Sequence, residues 1–380
     1  MSSTAGDSNA IIGKAQTYSY NKMTIKRGNA GKIEAIDLFC GAGGLSYGLR
    51  ESGVIVKAGI DLDPACEYPY IKNIKAPFFK KNVEDVQGKE LAALYSPGAI
   101  RLLAGCAPCQ PFSTLANGRD TTEDQKWGLL VEFARLVKEL KPELVTMENV
   151  PRVANHAPYE AFIGTLRTLG YHVDAQSVRC ADFGIPQERR RFVLIASRFG
   201  QIKLPKPGKS VRTVRDAISH LKPLAAGESD SSDPLHKARS LTPINLARIK
   251  ASRPGGSWED WPEDLRSPCH RIPSGSTFRS VYARMSWDSP APTITTQSFN
   301  FGTGRFGHPE QDRAITMREA AILQSFPPKY QFVKDGGKVH MSTIGRLIGN
   351  AVPPKLAEVI GLNFLQHIKE FKSGFVQIKN

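Results

Sequence analysis

The sequence predicts an α/β fold, with a Rossmann-like sheet and a second, smaller domain. Short apolar strand patterns alternate with helical patterns between about residues 33 and 198, and this alternation favours a parallel sheet covered by helices. The composition then changes, because residues 199–254 carry 11 Lys or Arg against 4 Asp or Glu. Periodicity stays weak to about residue 290, which indicates a separate lobe of loops and short strands.

The individual elements follow in order along the chain. We expect strands near 32–39, 54–60, 99–104, 144–147 and 191–196, and helices near 45–52, from 64 onward, and at 129–140, 317–324 and 354–371. Apolar residues at helical spacing indicate the last helix. The predicted division is a flexible basic arm at 1–30, a core domain at 31–198 plus 340–380, and a smaller domain with a hinge at 199–339.

Bulk composition narrows the class of function. The 380 residues are 41% hydrophobic and 23% charged, which is ordinary for a globular enzyme. A formal net charge of +15 favours a polyanionic partner, with nucleic acid first. We expect no membrane span and no secretory signal, because no apolar run approaches the ~20 residues that cross a bilayer. The six cysteines are scattered, so we expect neither a disulfide framework nor a metal site.

Unusual residues stand where the predicted strands end. The segment Phe39–Gly44 is rich in glycine and opens a helix, and Asp61 follows the second strand. Ligands gather at the carboxyl ends of parallel strands. Glycines let the backbone approach a ligand, a helix N-terminus offers N–H groups to a carboxylate, and Asp61 could accept ribose hydroxyls. A nucleoside-type cofactor is therefore predicted, with a purely structural turn as the alternative.

The segment Cys106-Ala107-Pro108-Cys109 follows the third strand and has three interpretations. It could be a redox pair, half of a metal site, or a turn that presents Cys109 as a nucleophile. The metal interpretation lacks a second Cys or His pair at suitable spacing, and the redox interpretation lacks a Trp before the first cysteine. This segment alone leaves all three open.

Two further segments carry charged residues beside predicted strands. Glu148 ends the strand at 144–147, and a carboxyl there could hold or give a proton to a ring nitrogen; a solvated turn acid is the alternative. The run Gln187–Arg191 leads into the strand at 191–196. In an extended segment Arg189 and Arg191 share one face. They could bind phosphate or a substrate oxygen, or form a basic solvated surface.

Taken together, the segments resemble the DNA (cytosine-5) methyltransferase family, of the prokaryotic restriction-modification type. The resemblance spans about residues 33–198 and 282–365, and the basic lobe lies where the family keeps its variable target-recognition region. It implies a Rossmann-like sheet of the S-adenosylmethionine-dependent methyltransferases with a smaller target-recognition domain. The motifs in order are Asp37–Gly44, Pro108-Cys109-Gln110, Glu148-Asn149-Val150, Gln187–Arg191 and Gly349–Pro354.

The resemblance implies methyl transfer from S-adenosyl-L-methionine to C5 of a cytosine in a specific duplex DNA sequence, with S-adenosyl-L-homocysteine as product. Cys109 would attack C6, and Glu148 would bond N3 and the exocyclic amine. Arg189 and Arg191 would steady the base and the cysteine turn. The cytosine must leave the stack to be reached. Cys106 receives no role and is taken as a small buried residue, so Cys106→Ala is expected to keep most of the activity that Cys109→Ser abolishes.

The resemblance also implicates residues in binding. Asn82 stands where the family often has Asp, and Asp61 where it more often has Glu. The implied cofactor residues are Phe39, Gly41, Gly43, Gly44, Leu45, Asp61, Leu62, Asn82, Val83, Pro108, Leu129, Asn350 and Val352. The DNA contacts expected in the loop at 112–128 and in the basic lobe are Ser113, Arg119, Lys126, Arg271, Arg279, Arg284 and Arg305.

The expected partner is double-stranded DNA. We expect a monomer in the prokaryotic cytoplasm, associated with the nucleoid and genetically paired with a restriction endonuclease. One alternative is a tRNA cytosine-5 methyltransferase with the same catalytic motifs. Another is a catalytically inert DNA-binding homologue, although such a chain would usually have lost Cys109, Glu148 or an arginine. The recognised DNA sequence depends on how side chains in the variable lobe reach base edges.

Overall fold

The protein is described by a computed structural model that covers residues 31–108, 128–208, 211–276 and 279–377. Seven strands form one mixed sheet. They are β1 (Ile33–Leu38), β2 (Ile55–Asp61), β3 (Phe78–Lys80), β4 (Ile100–Gly105), β5 (Leu144–Asn149), β6 (His172–Arg179) and β7 (Arg190–Ser197). Their order across the sheet is β3-β2-β1-β4-β5-β7-β6. This confirms the predicted α/β, Rossmann-like class.

Helices connect and cover these strands. They are α1 (Gly44–Ser52), α2 (Glu67–Ile74), α3 (Gly88–Leu94), α4 (Gly128–Leu140), α5 (Ala157–Thr168), α6 (Val214–Ile218), α7 (Pro243–Ala251), α8 (Pro273–Ser276), α9 (Met317–Leu323), α10 (Met341–Gly349) and α11 (Pro354–Gln377). The strands β1 to β5 pair in parallel. Their carboxyl ends therefore lie at one edge of the sheet, where a ligand site is expected.

The sheet is buried on both faces, and β1 shows how its sequence achieves this. All six residues of β1 are buried, as expected for a central parallel strand. Because successive side chains point to opposite faces, Ile36 and Leu38 pack into the core with α3, α4 and α5. Ile33 and Ala35 pack into the opposite core with α1 and α11.

The sheet departs from the predicted all-parallel arrangement at one side. β7 runs antiparallel to both β5 and β6. β7 therefore brings its first residues, rather than its last, to the edge where β5 ends, with Asn149 opposite Phe192. This reversal places the Gln187–Arg191 segment beside the carboxyl end of β5.

The region after β7 is bound closely to the sheet domain. One core cluster contains Ala42 and Cys66 from the strand-end turns together with side chains of α6, α9 and α10. A separate small core holds Ile249, Trp258, Trp261 and Phe301. In the described part of residues 199–316, strand pairing is limited to isolated bridges, where short strands were expected. The domain boundaries at 199 and 339 stay a prediction.

Candidate active site

The turn that follows β1 combines positive backbone angles with the start of α1. Phe39, Gly41 and Gly43 have φ angles of 57°, 54° and 93°, a region that glycine enters readily and phenylalanine rarely does. Such strained residues concentrate at ligand sites. A Cβ added to Gly41 would meet no atom of the described residues within 4 Å, so on their side the turn is open to a ligand.

The other two glycines of the turn face protein instead. A Cβ on Gly44 would lie 2.2 Å from the carbonyl oxygen of Val352, a distance that backbone cannot tolerate. A Cβ on Gly43 would lie 3.0 Å from Ile74 and 3.1 Å from the Tyr330 hydroxyl. Gly44 therefore lets the segment before α11 pack against the turn, a role that the sequence did not indicate.

Asp61 is fixed beside this turn by two backbone amides. Gly41 N–H donates to Oδ2 at 2.8 Å and Asp63 N–H donates to Oδ1 at 2.9 Å. Burial raises the pKa of the Asp61 carboxyl, and these hydrogen bonds oppose the rise. Each oxygen keeps a further lone pair, so the carboxylate is oriented and can still accept hydroxyl groups.

Asp37, near the end of β1, is a charged residue whose importance the sequence analysis did not recognise. Its side chain is fully buried, and Oδ2 accepts a hydrogen bond from the Ser46 hydroxyl at 2.7 Å. Oδ1 is buried and accepts no hydrogen bond within the described ranges. Burial raises the pKa of Asp37 from 3.8 to about 7. An unsatisfied buried acceptor is costly, so this oxygen suits a cationic ligand group.

The side chains of the remaining predicted cofactor residues differ in how far they are exposed to solvent. Leu62 is 62% exposed beside Asp61, and Asn350 is exposed where α10 ends. Leu45, Val83 and Val352 are at most 4% exposed. The side chains of Leu45 and Val83 are thus built into the cores.

Of three further predicted cofactor residues, one caps a turn and two lie at the edges of described segments. Asn82 caps the short turn at 83–85 by accepting from the Glu84 amide. Pro108 and Leu129 are half-buried, and they flank the segment 109–127 that lies outside the described residues.

Glu148 lies at the carboxyl end of β5 with only 3% of its surface exposed. Nε of Arg191 lies 2.7 Å from Oε1, and the Cys106 thiol donates to Oε2 at 2.9 Å. Burial raises the pKa of Glu148, while the Arg191 charge and the Cys106 hydrogen bond oppose the rise. A carboxyl whose pKa is raised by burial holds a proton more readily than a solvated one and can act as a general acid.

The expectation that Cys106 is a small buried residue was wrong. Its side chain is only partly buried, and it contacts Glu148. The strand register explains the contact, because Gly105 of β4 stands opposite Met147 of β5, so the residues that follow them are neighbours. Sequence could have suggested this pair only if the register of β4 and β5 had been known.

Asn149 connects the same two turns through the backbone. Its Nδ2 donates to the Ala107 carbonyl oxygen at 3.2 Å, and its Oδ1 accepts from the Val150 amide at 2.8 Å. The residue is buried. It therefore holds the segment that leads into Cys109 against the end of β5.

Arg189 and Arg191 do not act on the same group. Arg191 reaches Glu148, whereas Arg189 is 1% exposed and donates to the carbonyl oxygens of Ile294 and Gly349, each at 2.9 Å. Arg189 thus braces β7 against the C-terminal part of the fold. That it also steadies the base stays a prediction.

Three of the four predicted DNA-contacting arginines in the described residues are exposed, and the fourth, Arg284, is buried. Arg305 is exposed, and Arg271 and Arg279 are exposed and pair with Glu263 and Glu259. Four other predicted residues lie outside the described residues: Cys109, Ser113, Arg119 and Lys126.

Arg284 contradicts its prediction as a DNA contact. Its side chain is 5% exposed, and its guanidinium donates to backbone carbonyls of Ile249, Ser252, His308 and Gln311 and to the Asp312 carboxylate. Arg284 has its donors committed within the lobe and so holds its loops together.

The described residues contain neither a membrane-type helix nor a metal-binding cluster. In those segments, no helix combines the length and apolar character needed to cross a membrane. Likewise, the described side chains form no group of three or more His, Cys, Asp or Glu suited to a metal ion.

Comparison with known proteins assigns the chain to a family. The family model of the C-5 cytosine-specific DNA methylases matches residues 33–366. The type II methylase M.HgiDII of Herpetosiphon aurantiacus is 49% identical over 345 residues, covering 89% of this chain and 96% of that protein. The type II methyltransferase M1.HphI of Haemophilus parahaemolyticus is 33% identical, covering 86% and 84%.

A solved structure supports the fold. The crystal structure of the S. pombe Dnmt2 methyltransferase superposes with a TM-score of 0.62 at 18% identity, covering 89% of this chain and 99% of that one. With the match to the family model, the prediction from the five ordered motifs is confirmed. The chain belongs to the family of C-5 cytosine-specific DNA methylases and is a DNA (cytosine-5)-methyltransferase of the restriction-modification type.

Proposed function

We propose that this methyltransferase acts on a cytosine flipped out of duplex DNA, through a covalent bond between Cys109 and C6. One observation carries the proposal: the buried Glu148 carboxyl is held at the end of β5, directly beside the turn that leads into Cys109. Cys109 lies outside the described residues, and its role rests on the motif order. A cytosine must leave the base stack to meet both groups.

Glu148 is the proposed acid that contacts the base edge. Burial raises the pKa of its carboxyl, while the Arg191 charge and the Cys106 hydrogen bond oppose the rise, and a raised pKa favours proton transfer to a base. A protonated carboxyl can donate to N3 of cytosine while its second oxygen accepts from the exocyclic amine. Oε1 lies within ion-pair distance of Arg191 and accepts no well-aligned hydrogen bond within the described ranges, which supports a substrate contact there.

The electrons then move in a balanced cycle. The Cys109 thiolate would add to C6, and the C5–C6 π electrons would be driven toward C5 because Glu148 protonates N3. C5 would form the new carbon–carbon bond to the methyl group. Loss of the C5 proton to a base, expulsion of the Cys109 thiolate and return of the N3 proton to Glu148 would restore the aromatic ring. Arg191 would hold Glu148 in place throughout, and Arg189 would brace the backbone behind it.

The residues around the glycine turn fit S-adenosyl-L-methionine, on which methylation by this family depends. When bound, this cofactor supplies the methyl group as an electrophile and leaves as S-adenosyl-L-homocysteine. Gly41 leaves open space, and the N-terminus of α1 suits a carboxylate. Asp61 is oriented to accept ribose hydroxyls, and the unsatisfied Oδ1 of Asp37 suits the cationic ammonium group.

Other residues complete the proposed cofactor site through exposed surface or backbone. The set comprises Phe39, Gly43, Gly44, Leu45, Leu62, Asn82, Val83, Pro108, Leu129, Asn350 and Val352.

Double-stranded DNA is the proposed substrate, read by the lobe after β7. Arg271, Arg279 and Arg305 supply exposed positive charge there, and Ser113, Arg119 and Lys126 are proposed contacts from the segment after Cys109. We further propose a monomer in the prokaryotic cytoplasm, paired genetically with a restriction endonuclease. Phosphate contacts by such arginines position DNA, whereas base contacts select its sequence.

Labelled cofactor tests the proposal directly. The full chain is incubated with tritiated S-adenosylmethionine and either duplex DNA or tRNA, and bisulfite sequencing of DNA from an expressing host then maps the modified cytosines. Label in duplex DNA, lost in Cys109→Ser, is expected. Label in tRNA only, or full activity of Cys109→Ser, would overturn the proposal.

A further inference from the structure

Cys106 contacts the proposed catalytic carboxyl from the opposite side to Arg191. Its Sγ lies 2.9 Å from Oε2 of Glu148, while Nε of Arg191 lies 2.7 Å from Oε1. Each carboxyl oxygen therefore has its own neighbour. Two contacts on different oxygens fix the rotation of a terminal carboxyl group, which is otherwise broad.

The backbone makes this contact a property of the fold rather than of one flexible side chain. Cys106 follows directly on β4, and its amide donates to the Leu38 carbonyl at 3.3 Å. Asn149 holds the next residue, Ala107, through its carbonyl. The thiol is thus carried on a backbone that is bonded to both β1 and β5.

We propose that Cys106 is a positioning residue, whose thiol orients the Glu148 carboxyl toward the edge of the flipped cytosine. The inference rests on the proposed role of Glu148. It replaces the sequence-based expectation that Cys106 is a bystander. Cys109 and not Cys106 remains the proposed nucleophile.

The Cys106 thiol also influences the protonation of Glu148. A hydrogen bond to the charged form of an acid favours that form, so the thiol lowers the pKa of Glu148. The charged and titratable neighbours of Glu148 in the described segments are Arg191 from β7, Cys106 from the end of β4 and Cys180 from the turn after β6. Removing the Cys106 thiol takes away a contact that lowers the pKa of Glu148, so that pKa should rise.

Steady-state kinetics across pH test this inference on the full chain with its mapped duplex DNA. For Cys106→Ala we expect kcat to fall about fivefold, the size of one modest hydrogen bond, with both KM values unchanged. In the dependence of kcat on pH, the limb that reports Glu148 should move to higher pH. Cys106→Ser keeps a donor and should recover kcat to within about twofold of the parent and return the limb. The exposed Cys269→Ala is the matched control and should behave as the parent.

The outcomes separate this inference from the role of Glu148. If Glu148→Gln abolishes methylation while Cys106→Ala keeps the parent kcat and pH profile, the positioning role is wrong and the role of Glu148 stands. If Glu148→Gln is fully active, the role of Glu148 fails and the inference fails with it. A fall in Tm and kcat in Cys106→Ala, without a shifted limb or rescue by Cys106→Ser, would mean that Cys106 merely fills space.

Discussion

Arg191 and Glu148 form an ion pair in which the two side chains are only 12% and 4% exposed, with Nε 2.7 Å from Oε1. Water screens such a pair poorly, so each charge depends on the other. The pair also joins the start of β7 to the end of β5, which run antiparallel at this point. The reversal of β7 is therefore what makes the proposed acid site possible.

Removing Arg191 should destabilise the fold in a pH-dependent way. Loss of one member of a buried pair costs about 3–5 kcal/mol. Without Arg191, burial raises the pKa of Glu148 further, so the folded chain keeps a proton there that the unfolded chain releases as the pH rises. Stability of Arg191→Ala should thus fall more at pH 8 than at pH 6, as measured by urea unfolding.

Arg191→Lys is the matched control for that prediction. It keeps the charge but loses the planar fork of donors, so it should retain most of the stability while kcat falls roughly 100-fold, as when an oriented donor is removed from an active site. Equal losses of stability at both pH values in Arg191→Ala would contradict the argument.

Asp37 should make stability fall as the pH rises from about 4 to about 7. Its pKa is raised by burial from 3.8 to about 7, so within this window the folded chain holds a proton that the unfolded chain has released. Folding then takes up a proton, which a higher pH opposes. Urea midpoints at pH 5 and pH 8 should differ less in Asp37→Asn than in the parent chain.

Ligand binding provides a second check on Asp37. A cationic ammonium group beside Oδ1 would lower its pKa, so S-adenosylhomocysteine should bind the parent more tightly at pH 8 than at pH 6. Asp37→Asn should bind more weakly at pH 8 and lose this dependence. Calorimetric affinities that change with pH equally in both chains would argue against the contact.

The sequence predicted the central strands well because burial on both faces makes them continuous apolar runs. β1, β4 and β5 are of this kind, with patterns in which nearly every residue is buried. β6 was missed because it is an edge strand, largely exposed or half-buried along His172–Arg179. Its polar sequence carries no alternation that would distinguish it from a loop.

The partners of the charged residues, in contrast, could not be predicted from the sequence. Arg189, Arg191 and Arg284 look alike in sequence, yet they bind distant carbonyls, a carboxylate and a loop framework respectively. Their partners lie 24 to 160 positions away in the chain. Motif order could identify Glu148 and the cysteine segment, but only the packing of the fold decides which arginine faces a substrate.

Gly41 and Gly44 should separate cofactor binding from folding. A methyl group on Gly44 would meet the Val352 carbonyl at 2.2 Å, so Gly44→Ala should lower the free energy of unfolding by about 2 kcal/mol, as overpacking does. Gly41→Ala meets no atom of the described segments within 4 Å and should cost about 1 kcal/mol for its positive φ. Gly41→Ala should also bind S-adenosylhomocysteine more weakly, because its methyl group occupies the space beside the turn that is proposed for the cofactor.

Denaturant unfolding and calorimetric titration of both variants measure these effects. Gly53→Ala provides a reference, because Gly53 also has a positive φ of 102° but lies at the end of α1 away from the open side of the turn. If Gly41→Ala binds the cofactor product as well as Gly53→Ala does, the turn is not a cofactor site.

Arg271 and Arg284 should give opposite phenotypes although both lie in the basic lobe. Arg284→Ala removes the guanidinium donors from the carbonyls of Ile249, Ser252, His308 and Gln311, and losing hydrogen bonds to a charged group should cost about 3 kcal/mol or more. Arg271 is about half exposed, so Arg271→Ala should leave stability within about 0.5 kcal/mol.

DNA binding tests the proposed role of Arg271 directly. Arg271→Ala should weaken duplex binding and, if it removes one phosphate contact, reduce the slope of log K against log salt by about 1. Glu263→Gln removes the acid that pairs with Arg271 and should strengthen binding at low salt. Fluorescence anisotropy over a salt series measures the affinity of the parent, Arg271→Ala and Glu263→Gln chains for duplex DNA. An unchanged slope in Arg271→Ala, with altered preference among target sequences, would instead make Arg271 a base contact.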